Sequence, residues 1–202
     1  MFALIDNQQI TKFFSGNRGV TLGDVQYPKS IFTLWSEAER NAIGIYEVTV
    51  DTTNKKDEQW YTNTNVSYGV ESNKAVGSYG TATAKAHADT LWTAQDEIDG
   101  KGIEGEVATR GLKYNLIKTI KQQAAGELQN TDWYVVRKAD AGTAVPSAIT
   151  THRAAVRTKC AEMETAITNA ADTPALETLY TYTEQEDGSV TRPLGELPTL
   201  ES

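Results

Sequence analysis

The stretch Leu112-Lys113-Tyr114-Asn115-Leu116-Ile117-Lys118-Thr119-Ile120-Lys121-Gln122-Gln123-Ala124-Ala125-Gly126-Glu127-Leu128 decides the fold. Leu112, Leu116, Ile120, Ala124 and Leu128 recur every fourth residue, with Ile117 on the adjoining edge. That spacing lays one apolar stripe along an amphipathic helix. Further on, Ile149, Arg153 (through its stem), Val156, Cys160, Met163 and Ile167 mark a second stripe, entered through Val145-Pro146-Ser147 and ended at Ala170 or Ala171. Pro174 opens a last short helix through Leu179. Two such helices about twenty residues apart pair most simply as an antiparallel hairpin. Asn130-Thr131-Asp132 caps a fresh start at Trp133 between them.

Outward from the helices the sequence changes character. Phe2–Ile5 and Ile10–Phe14 are short apolar or β-branched runs separated by Asp6-Asn7-Gln8-Gln9, which predicts a hairpin. Ile45–Val50 alternates as a strand does, and hairpin-like pieces surround Trp60–Tyr68 and Val70–Tyr79. Ser36 with Glu39 three residues later has the spacing of a capping box. From Asp89 to Glu106 there are six acids, one lysine and three glycines, the composition of a connector. The predicted fold is therefore α+β. A small antiparallel β-rich domain covers 1–88, an acidic glycine-containing connector 89–110, a helical hairpin domain 111–180, and an acidic proline-containing tail 181–202.

Charge narrows the functions open to this chain. Nineteen basic side chains against twenty-seven acidic ones, in 202 residues, leave a net charge of −8. Nucleic acid is excluded as the main partner, because backbone binding needs a concentrated basic surface. The N-terminus has neither the basic flank nor the apolar run of a signal peptide, and no stretch approaches the length of a membrane span. One cysteine precludes an intrachain disulfide and any thiolate cluster.

Residues able to do chemistry are few and badly spaced. His87 and His152 are the only histidines, and both read as surface positions. Cys160 lies eight residues after His152, about 12 Å along a helix, and reads as a small core hydrophobe. Asp96, Glu97, Asp99, Glu104 and Glu106 do not follow calcium-loop spacing and read as a solvated connector, with a structural calcium or magnesium ion as the alternative. No phosphate-binding glycine motif, nucleophile elbow or metalloprotease helix occurs. No catalytic, cofactor-binding or metal-binding residue is assigned, and the expectation is a protein that is not an enzyme. Trp60-Tyr61 and Tyr68 are the candidates for surface contacts, with protein or with sugar.

Two groups of phrases carry a resemblance. Leu128-Gln129-Asn130-Thr131-Asp132-Trp133, then Arg137, Val145-Pro146 and His152-Arg153-Ala154-Ala155-Val156-Arg157, resemble a segment of tail-fibre and tail-fibre-assembly-type proteins of tailed bacteriophages. His152 stands where that segment carries a tyrosine. Lys12–Gly19, Tyr27–Ser36 and Gly44–Val48 resemble uncharacterised tail-associated proteins of marine phages. The resemblance implies a virion component, made in the bacterial host cytoplasm and built into the tail as a fibre-base or adaptor protein. Its partners would be other tail or fibre proteins, in several copies of a symmetric assembly. An assembly chaperone absent from the virion, or a module binding host surface glycan, are the alternatives. Trp133 is expected in the hairpin core, with Arg137 and Arg153 hydrogen-bonded or ion-paired around it.

Overall fold

A computed structural model describes residues 1–200 and divides into two separately packed units, Met1–Thr83 and the chain from Ala84 onward. The fold is α+β, with the sheet in the first unit and the long helices in the second.

The first unit contains β1 (Phe2–Asp6), β2 (Gln9–Phe14), β3 (Val20–Leu22), β4 (Val25–Tyr27), α1 (Glu37–Ala42), β5 (Ile45–Asp51), β6 (Tyr61–Thr62), β7 (Ser67–Glu71) and β8 (Lys74–Ser78). Five of these form a sheet in the order β2-β1-β5-β8-β7. Its pairs are antiparallel except β5 with β8, which run parallel from Val48 beside Ala75 to Asp51 beside Ser78. The sheet is therefore mixed, because the long passage after β5 returns β8 in the same direction. Both hairpins turn through two left-handed residues, Asn7-Gln8 and Ser72-Asn73, the geometry that matches strand twist. Gln8 Nε2 donates to Asn73 Oδ1 at 2.8 Å, and Phe13 meets Tyr68 edge-on with centroids 5.0 Å apart. The sheet thus curls until its edge strands face each other, which shields edges that could pair elsewhere. Gly77 faces Tyr68 across the ladder, and a Cβ there would lie 2.8 Å from the ring. Phe14, Ile31, Phe32 and Ile45 form the core beside this sheet. The Ser36–Glu39 capping box starts α1.

Trp60 and Tyr61 are 3% and 6% exposed, so neither offers a ring to a partner or a sugar. Tyr61 begins a strand of only two residues, too short for alternation to show which way its ring faces. Of the three aromatics singled out, only Tyr68 is exposed.

A two-residue strand, β9 (Thr83–Ala84), precedes the second unit's β10 (Thr90–Leu91), α2 (Ala94–Ile98), β11 (Val107–Thr109), α3 (Leu112–Gln129), α4 (Asp132–Ala141), α5 (Ser147–Asn169), α6 (Thr173–Tyr180), β12 (Thr183–Glu184) and β13 (Val190–Thr191). α3 and α5 pack antiparallel, as three cross-links along their length show. Lys113 Nζ donates to the Thr168 carbonyl at 2.8 Å, Lys121 pairs with Glu164 at 3.0 Å, and Arg153 reaches the Leu128 carbonyl. Ile120 and Ala124 are buried on α3, and Val156, Cys160, Met163 and Ile167 on α5.

The acidic segment 89–110 is largely exposed, and short elements order it. β10 pairs with β11, and Trp92 extends the ladder by bonding to Gly105 and Glu106. Thr93 and Asp96 make a reciprocal capping box for α2. Lys101 bridges Asp96 at 3.0 Å and Asp99 at 3.1 Å, while Asp89 accepts from Arg110 and from the Gly111 amide. The acids serve as caps and turn locks. At Gly111 a Cβ would stand 2.3 Å from the Ala88 carbonyl, so glycine permits the Ala86 and His87 carbonyls to accept from the first amides of α3.

The hydrogen bond from Thr93, followed by that from Lys101, holds the Asp96 carboxyl down from its ordinary 3.8 to about 2. A depressed carboxyl stabilises the folded state above its unfolded pKa, and that support fades as pH falls from about 4 to below about 2. A carboxyl-carbon NMR titration should therefore give Asp96 a midpoint of about 2. A midpoint near 3.8 would show that the cap is not formed.

Candidate protein-binding surface

The corner where α3 gives way to α4 is built around one buried cation. Arg153 projects from α5 and is 8% exposed. Its Nη1 donates to the Leu128 carbonyl at 2.8 Å and to Thr131 Oγ1 at 2.7 Å, and its Nη2 pairs with Asp132 at 2.8 Å. Thr131, itself buried, donates to the Leu128 carbonyl at 2.9 Å. The Leu128 carbonyl, near the C-terminus of α3, also accepts from the Thr131 amide at 3.0 Å, so backbone and side chains together satisfy it. The expected hydrogen-bonded role of Arg153 is present.

Trp133 is not in the core. It is 50% exposed, and the corner is filled by Thr131 and Arg153. Its ring lies 3.9 Å from that of Tyr134, and the Arg137 guanidinium sits 4.6 Å above it. Arg137 therefore acts by stacking, not by hydrogen bonding, and its Nε is buried without a hydrogen-bond partner. Val135 and Val136 are 44% and 65% exposed. At about 100° per residue Trp133 and Val136 share one side of α4, while Val135 lies on the side toward α5; all three are exposed within their own unit. Between α4 and α5 is an open cleft of about 320 Å³ lined by Val135, Val145, Lys138, Arg157 and the flank of Arg153.

Half exposure sets the stability expectation for the motif tryptophan. Trp133→Ala should shift chemical denaturation by no more than about 1 kcal/mol, since the ring loses a stack and partial burial only. A loss of 3 kcal/mol or more, on the order of a deleted buried aromatic, would return Trp133 to the core.

His152 is buried, contrary to the surface reading, with its Nε2 unpartnered. It lies three residues after Ile149 and four before Val156, on the face that packs. His87 is half-buried and contributes its backbone carbonyl to the start of α3. Cys160 sits in the apolar stripe, and burial pushes its thiol pKa up. Among the described residues no group of three or more His, Cys, Asp or Glu side chains is placed to hold a metal ion, and no helix is long and apolar enough to cross a membrane.

The chain matches no family model, no curated protein and no solved structure. The signal for the exposed α4 residues is present in the sequence. Trp133-Tyr134-Val135-Val136 are four consecutive large apolar residues on a helix, spaced about 100° apart, and no single core can take all four.

Proposed function

We propose that this chain is a structural component of a bacteriophage tail, a fibre-base or adaptor protein that joins larger tail parts. The observation that carries the reading is the set of exposed apolar side chains on α4: Trp133 and Val136 on one side, and Val135 on the wall of the α4–α5 cleft, at a corner that Arg153 locks. Exposed aromatic and aliphatic side chains on a rigid element are what a protein partner buries at the centre of an interface. The same segment carries the tail-protein phrases, so the resemblance and the geometry support one location. Division into two packed units gives each unit its own surface for a neighbour.

Quantitative mass spectrometry of purified particles tests this. A component is present in a fixed copy number per particle. Absence from particles, with the chain still bound to a tail protein in infected-cell extract, would overturn the reading in favour of an assembly chaperone.

A further inference from the structure

The second unit carries two uncovered surfaces of opposite charge. The α4–α5 surface holds four basic side chains, Arg137, Lys138, Arg153 and Arg157, against two acids. Of those acids, Asp132 is committed to Arg153, leaving Asp140 on the last turn of α4. In a chain of net charge −8, this is a local reversal of sign. Lys138 and Arg157 are exposed on the cleft wall and have no acidic partner among the described residues.

The opposite surface is the hairpin of β12 and β13. Thr183 pairs with Thr191 and Glu184 with Val190. Gln185 donates to the Ser189 carbonyl at 2.8 Å, Gly188 donates to Gln185 at 3.0 Å, and Gly188 takes φ 79°. That is a tight turn closed by a left-handed glycine, a rigid three-residue connection. Its apex presents Glu186 and Asp187, Glu184 lies just below, and no basic residue falls between Tyr182 and Thr191. Asp187 bonds to Ser189, and Glu184 and Glu186 have no cationic partner among the described residues. Val190, 62% exposed, adds an apolar group beside the acids.

We propose that the acidic β12–β13 hairpin of one copy seats in the basic, apolar-walled α4–α5 cleft of a second copy, joining copies head to tail. Lys138 and Arg157 would receive the Glu184 and Glu186 carboxylates, and Val190 would lie against Val135 and Val145. Charge complementarity decides for this occupant, because both members of the pair are on one chain and neither is neutralised within it. A contact between two different surfaces closes into a ring when the rotation per copy permits. The proposal rests on reading the α4 face as a protein-binding surface, and adds the partner.

Sedimentation of the full-length protein over a range of concentrations and salt tests it. Wild type should form concentration-dependent oligomers that dissociate as sodium chloride rises from about 50 mM to about 0.5 M, since exposed ion pairs are screened. E184K/E186K and K138E/R157E, which leave the Asp187 turn and the Arg153 corner intact, should each associate about tenfold or more weakly, with unchanged melting temperature. Mixing the two variants should restore association, because each then offers the surface that the other lacks. A wild type that stays monomeric, oligomers that survive both reversals, or association strengthened by salt would each overturn the proposal. Oligomers that ignore both reversals but are lost in Trp133→Ser would overturn the hairpin as occupant and leave the α4 face as a binding surface. The reading as a tail component stands or falls separately, on copy number in particles.

Discussion

Arg153→Ala is expected to destabilise the helical unit by about 3 kcal/mol, because one substitution removes two charge-assisted hydrogen bonds and a partly buried ion pair. The guanidinium links α5 to both the end of α3 and the start of α4 at this corner. Without it Thr131 Oγ1 stays buried with one partner fewer, and Asp132 loses its counter-ion. Arg153→Lys should recover only part of the loss, since one ammonium cannot reach three acceptors with the geometry of a fork. Asp132→Ala should cost less than about 1 kcal/mol, because that carboxylate is more than half exposed. Chemical denaturation of the three variants gives the comparison. Equal losses for Arg153→Ala and Asp132→Ala would mean that the ion pair alone matters and that the corner is not held by the backbone bonds.

The tail yields the second large effect. Sequence alone made 181–202 an acidic, proline-bearing segment, but the chain folds back on its own unit. Leu194 is 2% exposed, and its amide donates to the Leu179 carbonyl at 3.0 Å. Arg192 stacks on Tyr180 and Tyr182, each about 5.2 Å away, and pairs with Glu196 at 2.8 Å. Glu196 and Leu197 lie beside Gln123 and Glu127 of α3 and Met163 of α5. Leu194→Ala should therefore cost about 2–5 kcal/mol, as large-to-small changes in a core do. Truncation after Thr191 should cost at least as much and expose the groove between α3 and α5. A truncated protein that melts like the full chain would show that the tail is an appendage. The retained hairpin makes this distinct from the oligomer test, since β12 and β13 end at Thr191.

The parts legible in the sequence are those where one local rule acts alone. The fourfold spacing from Leu112 to Leu128 places α3, and the Ser36–Glu39 box places α1, because neither needs a distant partner. The errors come where a residue serves two rules. Asp89 and Asp96 look like the charges of a linker, yet they cap and lock turns, and a capping acid cannot be told from a solvated one by composition. The tail leucine Leu194 is buried, with its amide on the Leu179 carbonyl of α6, and a polar, proline-bearing segment does not announce that return. His152 lies on the apolar period of α5, and its polar ring hides that in the sequence. Trp133 is large, and size does not say which side of a short helix faces the core.

The central claim is that the exposed apolar side chains of α4 are covered by protein in the proposed tail assembly. Hydroxyl-radical footprinting of Trp133, Val135 and Val136, in the isolated chain and in intact particles, measures that coverage directly. The account predicts ready oxidation of all three in the isolated protein and protection in particles, with Leu34, 80% exposed on the other unit, as an internal reference within each sample. Equal oxidation of the α4 residues in both samples would contradict it.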